Sequence, residues 1–165
     1  MVVCWFTHLL PGTNDGTRYS LAVALGTNGS CEIGAIYDGL LGDSAIDKAL
    51  VDGRYYCDKA PLGGFVAAPV AWLVSQFSDS LYISYYACSI VASGLPGSLC
   101  PAMLYLLLVS MKVDRSRAVL AGIACFFCTN LMYWSTMMFS HGLTAGLFLG
   151  GVLGMTASKR WWQYA

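Results

Sequence analysis

Charge is what this chain has little of. Only 11% of its 165 residues are charged, nine basic and nine acidic, and the net charge is zero. Globular domains carry roughly 25%, so the sequence does not encode a solvated surface on all sides. Without a basic excess it carries no nucleic-acid footprint either. Histidine is almost missing, with His8 and His141 alone. The seven cysteines are scattered, and the one CxxC spacing, Cys125-Phe126-Phe127-Cys128, sits in an uncharged apolar run. A structural zinc site needs four donors, so that pair reads as small packing residues. Cys31 and Cys57 share the polar part of the chain and are open to pairing in an oxidising compartment.

What is present is apolar. Hydrophobic residues make up 57% and mean hydropathy is +0.61, a membrane composition. The eighteen glycines suit membrane helices, which tolerate glycine and pack through it. The few charges are also segregated. Seven acidic and four basic residues fall between Asp15 and Lys59, after which Asp79 stands alone until Lys112. An ionised group at the bilayer centre costs several kcal/mol, so Asp58-Lys59-Ala60-Pro61 reads as the boundary between water and lipid.

Taken in order, residues 1–10 are apolar but shorter than the roughly 20 residues needed to cross a bilayer. They read as the remnant of a first transmembrane helix, with His8 an interfacial side chain. Pro11 to Gly16 break that run, and 17–28 read as a helix with Leu21, Ala22 and Leu25 on one face. Asn14, Asp15 or Thr17 is a candidate cap at its start, and Gly29 follows its end. Residues 30–47 are polar and glycine-rich, which predicts a loop. Asp52-Gly53 between β-prone runs predicts a hairpin delivering the chain to Lys59. Residues 62–77, with Pro69, suit a helix lying at the interface. Three spans are expected at 81–111, 118–140 and 143–158, with Pro96 and Pro101 kinking the first. The predicted class is an all-α membrane protein, a helical bundle whose first outer loop, 11–61, holds juxtamembrane helices and a small hairpin.

Basic residues set the expected orientation. The loops at 112–117 and 159–160 hold five Lys and Arg against one Asp, which predicts that they and the tail 159–165 are cytoplasmic. The 11–61 segment and His141 then lie outside a multi-pass protein of a bacterial inner or plasma membrane. Gly142, Gly146, Gly150 and Gly154 recur every fourth residue, a ridge that lets another helix approach closely and predicts partner transmembrane helices.

Asp15 with Arg18, Lys59 and His141 are thus expected on one outer membrane surface. A carboxylate can take a proton from an attacking nucleophile, while two cations hold a phosphate and stabilise it as it leaves. That inventory suits group transfer from a lipid phosphate. Asp15-Gly16-Thr17-Arg18-Tyr19, followed by Tyr55-Tyr56-Cys57-Asp58-Lys59-Ala60-Pro61-Leu62, resembles the D-E-x-R-Y and Y-x-x-K-P-P-L signature of GT-C membrane glycosyltransferases. The similarity is to the lipid A aminoarabinose transferases and their protein mannosyltransferase-like relatives. It continues through the basic loop, the AVLAGIACFF run, and Tyr133 to His141.

The resemblance implies a catalytic carboxylate at Asp15. Arg18 and Lys59 would engage the polyprenyl phosphate of a sugar donor, and His141 would line the substrate cavity. It implies an inverting transfer to an acceptor outside the cytoplasm; no cofactor is indicated and a divalent metal is left open. Gly16 stands where the family often has Glu, Ala60 where the aminoarabinose enzymes have Pro, and His141 where they have a carboxylate. The chain corresponds to the N-terminal part of such an enzyme, so a fragment too short for activity is expected. The alternative is a non-catalytic helical membrane subunit or transporter segment packing through the glycine ridge.

Overall fold

The structure is a computed structural model that describes residues 12–42 and 47–161, with side chains through Thr156. The expected remnant helix at 1–10 and the end of the expected tail lie outside the described residues. Within them the chain is all-α apart from one hairpin, with seven helices: α1 (Thr13–Asn28), α2 (Gly34–Leu41), α3 (Leu62–Ser75), α4 (Leu81–Ser110), α5 (Arg115–Phe127), α6 (Leu131–Ser135) and α7 (Ser140–Trp161). The hairpin joins β1 (Ala49–Val51) to β2 (Arg54–Tyr56), pairing Ala49 with Tyr56 and Val51 with Arg54.

α1 begins four residues earlier than its apolar pattern indicates. Its N-cap is Gly12, and no side chain caps it, so Asn14, Asp15 and Thr17 all lie inside the helix. Gly29 ends it in the left-handed conformation, with φ +62, where glycine carries no steric cost. Residues 30–47 are not simply a loop. Ile33 and Tyr37 bury completely against Leu21 and Ala24, and that burial stabilises α2 despite its glycines. Asp52 and Gly53 take φ values of +49 and +77, as a two-residue hairpin turn requires.

α3 lies against α1 through small residues. A Cβ on Gly26 would sit 2.5 Å from the Ala68 carbonyl oxygen, and one on Gly64 would sit 2.8 Å from Leu21. Its other face exposes Phe65, Trp72 and Leu73. α4 is the one helix among the described residues that is long and apolar enough to cross a membrane, 30 residues with a mean hydropathy of 1.6 over its most apolar 18. It contains a π-helical turn at Ile90–Gly94, which ends one residue short of Pro96. Proline has no N–H and its ring crowds the carbonyl four residues back, so the wider turn accommodates Pro96 without ending the helix.

The stretch 118–140 is not one helix. α5 ends at Phe127, where the Thr129 hydroxyl donates to the Cys125 carbonyl and accepts the Leu131 N–H. Such local side-chain bonds compete with the helical ladder, and the chain restarts as the short α6.

The glycine ridge of α7 is partly used inside the chain. A Cβ on Gly142 would meet the Ser93 carbonyl at 2.6 Å, and one on Gly146 would meet Pro96 at 2.9 Å. Gly150 has only Met103 nearby, at 3.8 Å, and Gly154 has nothing within 4 Å. The helix that this ridge was expected to receive from a partner is, for its first half, α4.

Gly142→Ala and Gly26→Ala therefore force backbone apart and should each cost about 1–3 kcal/mol of stability. Gly154→Ala, in open space, should stay within about 0.5 kcal/mol. Thermal unfolding in one detergent checks this. Equal behaviour of the three variants would contradict the packing described.

Candidate functional site

Asp15 lies in the first turn of α1, where unpaired backbone N–H groups and the helix dipole favour a negative charge. It is only 3% exposed. The Tyr85 hydroxyl, from the start of α4, donates to its Oδ2. Tyr85 is itself held edge-on by Tyr19, with ring centres 5.5 Å apart. Tyr19, Ala22, Ala67, Tyr85 and Met138 belong to one buried cluster, so the carboxylate is set against the best-packed part of the molecule.

Arg18, one turn further on, is 5% exposed. Its Nη1 donates to the Asn14 carbonyl at 2.8 Å and to the Asn14 side-chain oxygen at 2.5 Å. The guanidinium stands 5.4 Å from the centre of the Phe139 ring, a cation–π contact. Its Nε donor is buried without a hydrogen-bond partner among the described residues. Burial pushes the guanidinium below its usual value, while Cys57, Asp15, Asp58 and Asp47 pull it back up.

Lys59 reaches the same cluster from the hairpin side. Its Nζ lies 3.0 Å from Asp47 Oδ1 and 2.9 Å from Asp58 Oδ2. Asp47 also accepts a hydrogen bond from Thr13 at the first residue of α1, so it links the lysine to the helix carrying Asp15 and Arg18. Three of the four residues singled out by sequence are therefore gathered in one electrostatic cluster. His141 is exposed and borders it without joining it. Its ring stacks on Trp134 with centres 4.8 Å apart and lies 5.9 Å from Phe139, the ring that Arg18 faces.

Ser93 holds that aromatic corner in place. Its Oγ lies 3.0 Å from the Trp134 carbonyl and 2.9 Å from the Phe139 carbonyl. Four contributors are not indicated by the motifs: Asp47, Asp58, Tyr85 and Phe139. Asp58, next to Lys59, is the one whose position in the sequence hinted at a role.

A groove of about 280 Å³ opens between α1, α2, α3 and the start of α4, and none of Asp15, Arg18, Lys59 or His141 lines it. Tyr19, Leu40, Ala71, Asp79 and Ser84 are among its lining, and Tyr19 is the residue it shares with the Asp15 support. Among the described residues no group of three or more His, Cys, Asp or Glu side chains is placed to hold a metal ion. A scan against protein-family models, a search of curated proteins and a search of solved structures each find no match.

The Lys59 links span a defined pH window. Hydrogen bonds from Thr13 and then Lys59 lower the Asp47 pKa, so its tie is present above the ordinary carboxylate range and is lost as pH falls through the lowered value. Bonds to Asp58 and Asp47 raise the Lys59 pKa; that tie is present below the ordinary lysine value and is lost as pH rises through the raised one. At pH 9 the amine should thus resist acylation, and Asp47→Asn should speed its modification several-fold, read by mass spectrometry of the Lys59 peptide. An unchanged rate in the variant would contradict the Asp47 link.

Proposed function

We propose that this chain holds a polyprenyl phosphate at a membrane surface, as part of a glycosyltransferase moving a sugar from that carrier to an acceptor outside the cytoplasm. The observation that carries this is the buried Arg18 guanidinium with an unpartnered Nε donor. An unsatisfied buried donor costs about 1–3 kcal/mol, more when charged. A phosphate oxygen would remove that cost through a charge-assisted bond.

Lys59 supplies the second contact by exchanging Asp47 or Asp58 for the phosphate. Its two carboxylate partners keep it charged while the site is empty, so binding replaces one anion by another without leaving the ammonium bare. The exposed apolar face of α3, with Phe65, Trp72 and Leu73, suits contact with lipid tails next to that headgroup position. An outside position for this face agrees with the positive-inside expectation drawn from the basic residues at 112–117 and 159–160.

In the transfer, the acceptor's hydroxyl or amine attacks the sugar anomeric carbon and gives its proton to Asp15. The bond from that carbon to the phosphate oxygen breaks with its electron pair staying on oxygen. Arg18 and Lys59 stabilise the charge that develops there. Tyr85 orients the carboxylate by donating to its Oδ2. His141, 5.9 Å from the Phe139 ring, lines the sugar side. Single displacement inverts the anomeric centre. A non-catalytic subunit is the alternative, favoured by the open glycine face at Gly154.

Reconstituted in nanodiscs, the chain should bind radiolabelled undecaprenyl phosphate, and Arg18→Ala should weaken binding about 10- to 100-fold, matching a lost charged hydrogen bond of roughly 1.5–3 kcal/mol. Asp15→Asn should retain binding, yet abolish sugar transfer from the lipid-linked donor. Unchanged affinity in Arg18→Ala, in folded protein, would refute the phosphate assignment.

A further inference from the structure

The short segment after α1 pairs with β2. Glu32 and Tyr56 form an antiparallel bridge, and the Ile33 N–H donates to the Tyr55 carbonyl at 2.9 Å. In antiparallel pairing each step forward on one strand is a step back on the other. One step beyond Glu32 and Tyr56 the register sets Cys31 opposite Cys57. Directly opposed residues have Cα atoms about 4.5–5.5 Å apart and side chains on the same face. A disulfide needs a Cα separation of about 4.4–6.8 Å, a range that a pair opposed in this register falls within.

We infer that Cys31 and Cys57 form a disulfide that staples the segment following α1 to the strand leading into Lys59. Both are free thiols in the structure and both are accessible, Cys31 exposed and Cys57 half-buried, whereas Cys88 and Cys100 are enclosed. The Cys57 thiol donates to the Lys59 carbonyl at 3.6 Å, a weak contact that turning toward Cys31 gives up. The two thiols lose two protons and two electrons, and the oxidant is an exchangeable disulfide, oxidised glutathione or the disulfide of an oxidoreductase. That disulfide is reduced to two thiols as the sulfur–sulfur bond forms.

The staple would bear on the cluster as well as on the hairpin. Lys59 follows Cys57 by two residues. Cys31 follows the C-terminal glycine of α1 by two. One covalent bond thus ties the segment running from β2 to Lys59 to the chain leaving the helix that bears Asp15 and Arg18. The inference depends on the strand register alone and stands apart from whether the chain binds a phosphate.

The purified full chain in detergent is equilibrated with oxidised glutathione, blocked with N-ethylmaleimide, digested without reductant and mapped by mass spectrometry. The expected result is a Cys31 peptide linked to a Cys57 peptide, lost on reduction and absent from Cys31→Ser and Cys57→Ser. Hydrogen exchange at the Ile33 amide should also slow several-fold on oxidation, and not in Cys31→Ser. Recovery of both residues as alkylated thiols or glutathione adducts from folded protein, or linkage of either to another cysteine, would overturn the inference. Exchange at Ile33 unchanged by oxidation would overturn the staple.

Discussion

A buried cation organises the start of this molecule. Arg18 is nearly withdrawn from solvent, and desolvation alone would make its charge costly to keep. The surroundings are arranged around that cost. Asn14 satisfies Nη1, Phe139 offers its ring face, and carboxylates on three separate segments favour the charged form. Phe139 comes from the segment before α7, Asp47 and Asp58 from either side of the hairpin, and Asp15 from α1 itself. An isolated Arg in an apolar setting would drive these segments apart. Here it draws them together.

Two layers of packing make the arrangement possible. Small residues at Gly26, Gly63 and Gly64 let α1 and α3 approach until side chain and backbone touch, which places Lys59, three residues before α3, close to the start of α1. On the far side, Gly142 and Gly146 let α7 lie against the π-helical turn of α4. Ser93 within that turn then fixes the carbonyls of Trp134 and Phe139. A change of one methyl group at Gly142 would press on Ser93, and through it on the ring over Arg18. Packing and site are mechanically connected, since close-packed interiors transmit strain.

Local chemistry was legible in the sequence. Asp52-Gly53 dictated the hairpin turn, Gly29 the end of α1, and the uncharged run after Leu81 a long apolar helix, because each depends on neighbours a few residues away. Charge segregation and motif spacing singled out Asp15, Arg18 and Lys59, and the carboxylates of Asp47 and Asp58 link the arginine and the lysine. The remainder was decided by distant contacts. α2 is weak by propensity and exists because Ile33 and Tyr37 bury against α1. The break after Phe127 follows from one threonine's choice of backbone partners. Tyr85 and Phe139 join the cluster across 70 and 121 positions of chain from Asp15 and Arg18, which no local pattern encodes. His141 stacks on Trp134 and lies 5.9 Å from Phe139, the ring that the Arg18 guanidinium faces.

The central claim is that one lipid phosphate sits between Arg18 and Lys59. Rotational-echo double-resonance NMR measures it directly, with phosphorus in polyprenyl phosphate and nitrogen-15 in the arginine and lysine side chains of the chain in bilayers. The account predicts that the phosphate dephases both the Arg18 guanidinium and the Lys59 ammonium signals, assigned by the loss of each in Arg18→Lys and Lys59→Arg. Dephasing of neither signal, with the lipid present and the protein folded, would contradict it.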